Sequence, residues 1–237
     1  MRKFLKALLI GAASLGILAL FTAASCSEQR GKKFYASQGP NPEVRGEQRV
    51  ALKSVFLKQK DGKTIARAVF AGGCFWCMEP PYEKLPGVRA VISGYAGGRE
   101  KNPRYRQVAY GRTTHVEAVL VEYDPEKISF EKLLDVFWRN VNPTQANGQF
   151  VDIGPHYRTV IYYIDDAQRK GAQVSKKKMD ASGRFPKPIV TEITPIREFW
   201  RAEDYHQDYY KKNPAHYYRY RKGSGRDAYI QKIWGKK

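Results

Sequence analysis

Two cysteines stand two residues apart in the stretch GGCFWCME, with Phe75 and Trp76 between Cys74 and Cys77. Four kinds of site have this spacing: half of a zinc site, a thioredoxin-like redox pair, a catalytic thiol with a resolving partner, and buried packing. Zinc would need further ligands from four scattered histidines and the carboxylates, and the chain has no second paired motif, so we do not expect a metal. A disulfide that closes so short a loop removes little entropy from the unfolded chain, which disfavours a purely structural bridge.

The position of Cys74 favours it as the nucleophile. Cys74 follows a Gly-Gly turn and stands where a short helix is predicted to begin, and unpaired backbone N–H groups and the helix dipole favour a thiolate there. Cys77 lies one turn later, from which its sulfur can reach that of Cys74 and close a disulfide. Phe75 and Trp76 are either core residues or an apolar cup for a methyl group, and the sequence leaves both interpretations open.

Glu117 is the second residue with potential for chemistry. In the strand THVEAVLVEYDP, alternation places Glu117 on one face with Val119 and Val121, while Val116 and Ala118 fill the other face. The glutamate is then either enclosed in an apolar sheet or reaches solvent at the strand end. Enclosure without a cation favours the protonated carboxyl, a proton donor near neutral pH. A thiolate beside such an acid suits the reduction of a polar X=O bond.

A long loop, NPTQANGQFVDIGPHYR, carries further polar side chains. Long irregular loops in compact domains are often functional, although some are only mobile. Asp152 and Tyr157 from this loop, with Tyr105 from NPRY, are candidates for hydrogen bonds to a substrate oxygen. Turn formation and packing are the alternative explanation for each of the three.

These residues need a scaffold of strands and helices. We predict strands at IARAVFAGG, VRAVISGYAGG, THVEAVLVEYDP, RTVIYYI and near PIVTEITPI. We predict an amphipathic helix capped by Ser129, a helix from about Asp165 to Ala181, and a helix through AEDYHQDYYKK. Strands that alternate with helices, several of them too apolar for one wet face, indicate a mixed sheet covered by helices, of the α/β or α+β class.

The first 25 residues are predicted to form an export signal, with a basic start, an apolar run and small residues before Cys26. The letters AAS before Cys26 resemble a bacterial lipobox, which predicts lipidation of Cys26 and a membrane-anchored lipoprotein in the bacterial cell envelope, on the periplasmic side. Ordinary cleavage nearby and an uncleaved anchor are the alternatives. We expect a polar spacer over residues 26–49, a folded domain over 50–214 and a basic, aromatic tail over 215–237.

The formal net charge is +19, and the excess of basic residues remains large without those of the signal. Such a surface is able to bind nucleic acid, but an exported protein meets anionic lipid headgroups first. We therefore interpret the charge as a property of the surface and expect no nucleic-acid partner. A basic nucleic-acid or envelope-binding protein is one rival function, and a general thiol-disulfide oxidoreductase that acts on protein cysteines is the main one.

Ten motifs in this chain resemble, in order, those of the A-type peptide methionine sulfoxide reductases, which act on the S epimer of methionine sulfoxide. They lie between about Val69 and Pro214 and read GCFW, LPGV, GYAGG, NPRY, HVEAV, YDP, VFW, NPTQ, DIGPHYR and AEDYHQDYYKKNP. The resemblance implies a two-layer α/β sandwich, similar to the ferredoxin-like fold, which agrees with the predicted elements.

The resemblance also implies roles for the candidate residues. Cys74 matches the attacking cysteine, on which a sulfenic acid is left when methionine is released, and Glu117 matches the acid that protonates the sulfoxide oxygen. Many members draw the resolving thiol from a C-terminal segment, but this tail has no cysteine, so Cys77 is expected to resolve, as in the subgroup with GCFWC. Phe75 and Trp76 match the pocket for the substrate methyl group. Tyr105, Asp152 and Tyr157 match the residues that bind the sulfoxide oxygen.

The implied partners are free methionine sulfoxide or envelope proteins that contain it, and a thioredoxin-like electron donor. Because export excludes cytoplasmic thioredoxin as the direct reductant, we expect a donor in the envelope. No cofactor is implied, and we expect a monomer. Two departures from the family pattern, Val141-Asn142 before PTQ and Ile153 after Asp152, are expected to alter hydrogen bonding in the pocket without removing a central catalytic group.

Overall fold

The computed structural model describes residue 41 and residues 43–235. The predicted signal, Cys26 and most of the predicted spacer lie outside the described residues. The last part of that spacer is packed on the domain, since Asn41 and Gln48 are buried and Nδ2 of Asn41 donates a hydrogen bond to Oε1 of Glu203 at 2.7 Å. Within the described part of the chain, no helix is both long and apolar enough to cross a membrane.

A mixed sheet forms one layer of the fold. The strands among the described residues are β1 (Arg49–Ala51), β2 (Phe56–Lys58), β3 (Thr64–Gly72), β4 (Val88–Ala96), β5 (Val116–Tyr123), β6 (Gly148–Gln149), β7 (Asp152–Ile153), β8 (Thr159–Tyr163), β9 (Glu192–Pro195) and β10 (Glu198–Arg201). The main sheet has the order β1-β10-β4-β5-β3-β8-β9, with β2 paired to β3, and its pairs are antiparallel except β8 with β9. Strands β6 and β7 form a separate antiparallel pair.

Helices complete the described part of the fold. They are α1 (Phe75–Glu83), α2 (Tyr105–Ala109), α3 (Phe130–Asn140), α4 (Asp166–Ala181), α5 (Tyr209–Lys212), α6 (Pro214–Gly223) and α7 (Arg226–Trp234), with a 3-10 turn at Pro155–Tyr157. Helices α1, α3 and α4 contact strands of the main sheet, and α3 contacts both of the others. The mixed α/β class predicted from the sequence is confirmed, while the ferredoxin-like arrangement stays a prediction.

The core explains why β3 and β5 are nearly continuous apolar runs. Almost every residue of both strands is buried, as expected for strands covered on both faces. Phe70 of β3 stacks on Tyr82 of α1 at a centroid distance of 5.2 Å and lies 5.7 Å from Phe137 of α3. Burial of one such side chain stabilises the fold by about 1.5–3 kcal/mol. The end of β3, which leads directly to the two cysteines, is therefore held on a well-packed base.

Helices α3 and α4 agree with the sequence predictions. Oγ of Ser129 accepts a hydrogen bond from the backbone N–H of Lys132 at 3.3 Å and caps α3, and Asp165 caps α4 in the same way. The predicted apolar face of α3 is buried at Leu133, Leu134, Phe137 and Trp138. Both helices begin at a local cap, and in α3 the cap is followed by apolar spacing.

The helix predicted through AEDYHQDYYKK is wrong over most of its length. Only α5 is helical, and the residues directly before it form turns. Asp208 has a left-handed backbone with φ of 54°, which interrupts a helix. The side chain of Gln207 is bound to strand β4, because its Oε1 accepts a hydrogen bond from the backbone N–H of Ser93 at 3.0 Å. Long-range bonds thus decide this segment.

Two other segments contain more structure than the sequence indicated. The strand predicted near PIVTEITPI corresponds to β9, and β10 follows it after a short connection. The basic, aromatic tail forms most of α6 and all of α7, for which no helical pattern was recognised.

Candidate active site

Cys74 lies between the end of β3 and the start of α1, as the N-cap residue of that helix. Gly73 before it has φ of 80°, and a Cβ there would stand only 2.5 Å from Cβ of Gln149, so the turn has no room for a side chain. The backbone N–H of Cys77 donates to the carbonyl of Cys74 at 3.0 Å. Both cysteines are free thiols and buried, with Cys74 6% exposed.

The electrostatics of the cysteine pair differ from the sequence prediction. Burial raises the pKa of Cys74 well above its usual value, and the hydrogen bond with Cys77 and the nearby Glu117 act in the same direction. That hydrogen bond, together with the charges of Arg226 and Arg221, lowers the pKa of Cys77 to about 7, although burial opposes the shift. Desolvation and carboxyl groups therefore outweigh the helix dipole at Cys74, and the thiolate of the free protein is favoured on Cys77.

Glu117 lies on β5 opposite Tyr95 of β4 and is 2% exposed. Its Oε2 accepts a hydrogen bond from the backbone N–H of Phe75 at 3.1 Å. Burial raises the pKa of Glu117 to about 8, although this hydrogen bond opposes the shift. Of the two positions that the sequence left open for this side chain, the structure shows the enclosed one, and the carboxyl lies close enough to Cys74 to raise the pKa of that thiol. Its role as a catalytic acid stays a prediction.

The three candidate oxygen-binding residues face the same site from three elements. Tyr105 begins α2, Tyr157 ends the 3-10 turn and Asp152 begins β7. Burial raises the pKa of both tyrosines, and the charge of Glu117 adds to each shift, so both hydroxyls remain protonated hydrogen-bond donors. Burial also raises the pKa of Asp152, while its hydrogen bond with Tyr220 opposes that shift.

Phe75 and Trp76 have different environments. Phe75 is fully buried and its ring centroid lies 4.9 Å from that of His206. Trp76 is half-buried, stacks on Tyr209 at 3.8 Å, and donates from Nε1 to Nδ1 of His206 at 3.1 Å. Burial lowers the pKa of His206 to about 3, which leaves its ring neutral and able to accept this bond. Phe75 is thus a core residue, whereas Trp76 is partly exposed.

Glu203 joins several parts of the site and was not predicted. Its Oε1 accepts hydrogen bonds from the backbone N–H of Tyr105 at 2.9 Å and from Nδ2 of Asn41 at 2.7 Å. Its Oε2 accepts from the hydroxyl of Tyr95 at 2.6 Å. The motif AEDYHQDYYKK was the signal for this residue, but the sequence did not show that its polar side chains are directed into the domain.

The C-terminal helix pair, α6 and α7, also lies at the site. The hydroxyl of Tyr220 donates to Oδ2 of Asp152 at 2.5 Å, and its ring meets Trp76 edge-on at 6.1 Å. Nη1 of Arg221 donates to the carbonyl of Cys77 at 3.2 Å. Basic and aromatic composition was the signal for this segment, and it could not indicate where the helices pack.

Three carboxylates lie close together among the residues that the structure describes, and a lysine pairs with two of them. Ligand atoms of Glu79, Glu83 and Asp208 all lie within 4.8 Å of one another. Nζ of Lys211 lies 2.8 Å from Oε2 of Glu83 and 2.7 Å from Oδ1 of Asp208, so a side chain supplies positive charge to the group. Neither cysteine belongs to it.

The two departures from the family pattern lie in different places. Val141 is fully buried, next to Asn142, whose Oδ1 accepts a hydrogen bond from the hydroxyl of Tyr229 at 3.2 Å. Ile153 is 63% exposed. Because Ile153 is exposed, an apolar side chain there leaves no buried polar group without a hydrogen-bond partner.

Comparison with known proteins extends the resemblance beyond the ten motifs. Residues 66–237 match a family model described as peptide methionine sulfoxide reductase, so the match includes the C-terminal helix pair. The chain is 51% identical over 168 residues to peptide methionine sulfoxide reductase MsrA 2 of Staphylococcus aureus, which covers 71% of this chain and 95% of the relative. It is 52% identical over 174 residues to peptide methionine sulfoxide reductase MsrA of Halalkalibacterium halodurans, with coverages of 73% and 99%.

Solved structures show the same similarity. Reduced Mxr1 from Saccharomyces cerevisiae has a TM-score of 0.61 and 32% identity, over 68% of this chain and 91% of that one. Methionine sulfoxide reductase A of Corynebacterium diphtheriae has a TM-score of 0.60 and 33% identity, over 74% and 86%. With a thiol pair beside a buried acid, and with relatives of this identity over nearly their whole length, the chain belongs to the peptide methionine sulfoxide reductase family and is an enzyme of its MsrA type, a peptide-methionine (S)-S-oxide reductase.

Proposed function

We propose that this enzyme reduces methionine S-sulfoxide, free or in proteins, through a sulfenic acid on Cys74 and a disulfide between Cys74 and Cys77. The observation that carries the proposal is the buried carboxyl of Glu117, whose pKa of about 8 keeps it protonated at neutral pH beside the start of α1. A general thiol-disulfide oxidoreductase has no use for this acid, since a disulfide has no oxygen to protonate.

In the first step the thiol of Cys74 loses its proton to solvent and its sulfur attacks the sulfoxide sulfur, while Glu117 gives its proton to the sulfoxide oxygen. Transfer of the resulting hydroxyl to the sulfur of Cys74 releases methionine and leaves a sulfenic acid, so the sulfur of Cys74 loses the two electrons that the substrate sulfur gains. The protonated hydroxyls of Tyr105 and Tyr157 support this step as hydrogen-bond donors to the same oxygen.

In the second step Cys77 acts as the resolving thiol. Its sulfur attacks the sulfenic sulfur of Cys74, the S–O bond breaks and water leaves. A pKa of about 7 makes Cys77 partly thiolate at neutral pH, which supports this role. The tail supplies no alternative, because residues 215–237 contain no cysteine. The chain then belongs to the subgroup with GCFWC.

Recycling requires an external dithiol, and we propose a thioredoxin-like protein as the donor. The export signal and the lipobox-like letters before Cys26 support a periplasmic-side, lipid-anchored enzyme that repairs oxidised envelope proteins. We propose that it acts as a monomer.

Separate S and R epimers of a methionine sulfoxide substrate test this function. The purified full chain is given each epimer with dithiothreitol, and the methionine formed is measured, with Cys74→Ser as the inactive control. We expect methionine from the S epimer only. Turnover of the R epimer alone, or equal turnover by Cys74→Ser, would contradict the proposal.

A further inference from the structure

The C-terminal helix pair brings two arginines to the resolving cysteine. Arg221 lies near the end of α6 and Arg226 begins α7, with Gly225 at φ of 77° between the helices. Arg226 is 1% exposed and is among the largest fully buried side chains of the described residues. Burial of a guanidinium is costly unless its charge and its N–H groups find partners, so its surroundings need a physical explanation.

Arg226 is held mainly by neutral groups. Nη1 donates to the carbonyl of Asn140 at 2.5 Å and Nη2 to the carbonyl of Gly72 at 3.2 Å, which fixes the guanidinium between the ends of α3 and β3. Its Cζ lies 4.6 Å from the ring centroid of Phe150. Among the residues that the structure describes, no carboxylate forms an ion pair with Arg226, whose Nε lacks a hydrogen-bond partner. The positive charge is therefore not neutralised by direct contact.

Arg221 approaches the same cysteine from α6. Nη1 donates to the carbonyl of Cys77 at 3.2 Å and to the hydroxyl of Tyr217 at 3.3 Å. Nε pairs with Oδ1 of Asp227 at 2.8 Å, which orients the guanidinium. Since the side chain of Asp227 is largely exposed and that of Arg221 is not, solvent weakens the charge of the aspartate more than that of the arginine.

We propose that Arg221 and Arg226 are positioning residues for recycling, whose guanidinium charges hold Cys77 as the thiolate that attacks the sulfenic acid on Cys74. In this step the thiolate of Cys77 forms the S–S bond, the S–O bond of Cys74 breaks, and the departing hydroxide takes up a proton to become water. The inference rests on the proposed resolving role of Cys77. It gives the cysteine-free tail a function in the reaction.

The charge of Cys77 depends on several groups around it. The hydrogen bond with Cys74 and the two arginines lower its pKa, and Asp152 acts in the opposite direction. A negative charge on Cys77 in turn raises the pKa of Glu117, Tyr217 and Tyr220. The titratable and charged groups that face Cys77 are therefore Cys74, Glu117, Asp152, Tyr217, Tyr220, Arg221 and Arg226.

Titration of the Cys77 thiol tests the inference without any substrate. Thiolate absorbance is followed against pH in the full chain carrying Cys74→Ser, and the same titration of Cys74→Ser/Cys77→Ser is subtracted to remove tyrosines and Cys26. Adding Arg221→Gln is expected to raise the midpoint by about one pH unit, a loss of thiolate of about tenfold below the midpoint. Arg226→Gln is expected to raise it at least as much.

Two matched variants control this titration. Arg219→Gln removes the same charge from an exposed position on α6 and is expected to leave the midpoint in place. Arg221→Lys keeps the charge and is expected to keep the midpoint close to that of the Cys74→Ser protein. An unchanged midpoint in Arg221→Gln would overturn the inference, whether or not Arg226→Gln folds, as judged by circular dichroism.

Single-turnover kinetics give a second readout. At about pH 6, Arg221→Gln is expected to slow disulfide formation about threefold. The loss of thiolate is partly offset because the thiolate of a thiol with a higher pKa is the stronger nucleophile. Disulfide formation should slow more than the methionine burst does; an equal fall in both would indicate a structural role and overturn the inference. Unchanged recycling by Cys77→Ser would instead contradict the resolving role of Cys77. The titration does not depend on that role, so the two failures can be told apart.

Discussion

Oε2 of Glu117 accepts a hydrogen bond from the backbone N–H of Phe75, the residue directly after Cys74, at 3.1 Å. The bond joins strand β5 to the first turn of α1, so the carboxyl of Glu117 and the sulfur of Cys74 are held by two elements of the core. Because the bond uses one carboxyl oxygen, the other is left to carry the proton that burial retains.

Replacement of Glu117 by glutamine is expected to remove most of the activity. The amide keeps an oxygen for the Phe75 N–H but has no acidic proton, and a general acid contributes roughly 10²–10⁴-fold. We expect kcat/KM for the S sulfoxide to fall at least about 100-fold, measured with dithiothreitol. Glu122→Gln, on the same strand but paired with Arg67, is the matched control. Loss of activity in both variants alike would argue against a specific acid.

Cys77→Ser is expected to separate reduction from recycling. The first step needs Cys74 and Glu117, so each enzyme molecule should form about one equivalent of methionine, which rapid quenching measures. Later turnover should be slow and should depend on the concentration of external thiol. Recycling by a protein reductant at the wild-type rate would contradict the resolving role.

Glu79 and Glu117 are expected to lower the free energy of unfolding as pH rises from about 4.5 to about 8, while the buried ring of His206, whose pKa is lowered to about 3, acts in the opposite direction up to about pH 6.5. Burial raises the pKa of Glu79 and of Glu117 from 4.5 to about 8 in the folded protein. In this window these two carboxyls bind fewer protons in the unfolded chain than in the folded protein. Their contribution to the free energy of unfolding is therefore complete below about pH 4.5 and is lost as the pH rises to about 8. Glu79→Gln should flatten the slope by at most about 1.4 kcal/mol per pH unit.

Urea unfolding at several pH values measures this slope. Glu126→Gln changes an exposed glutamate and should keep the wild-type slope. An unaltered slope in Glu79→Gln would show that this carboxyl is ionised in the folded protein.

Gly73→Ala is expected to destabilise the protein more than Gly62→Ala. Both glycines have φ of 80°, which costs a side chain about 1–2 kcal/mol, but only at Gly73 would the new Cβ collide, with Cβ of Gln149 at 2.5 Å. Gly62 has nothing within 4 Å. The additional cost of overpacking is about 1–3 kcal/mol, measurable by urea unfolding. Equal effects would show that the loop with Gln149 moves aside easily.

Tyr220→Phe is expected to weaken the oxygen-binding site. It removes the hydroxyl that donates to Asp152, a type of bond worth about 1.5–3 kcal/mol, so kcat/KM should fall about tenfold while the fold is retained. Tyr218→Phe, exposed on the same helix, should have wild-type kinetics. Identical kinetics of the two variants would mean that Asp152 does not need Tyr220.

Local features of the fold were predictable, and long-range ones were not. The caps Ser129 and Asp165 and the apolar spacing behind Ser129 identify two helices because both signals act within a few residues. The segment around Glu203 and His206 does not form the predicted helix. Its polar side chains bind distant partners that the local pattern does not reveal. For the same reason the packing of α6 and α7 on the cysteines could not be predicted.

The amino-acid sequence by itself determined the chemical groups and their order: a Cys-x-x-Cys pair after a glycine turn, a glutamate in an apolar strand, and motifs that resemble one enzyme family. Only the tertiary structure decided how those groups are charged. Glu117 stands 42 residues from Phe75, and Arg221 stands 144 residues from Cys77. A pKa depends on desolvation and on charges close in space, so the helix start that favours a thiolate at Cys74 is outweighed by groups that folding brings from distant parts of the chain.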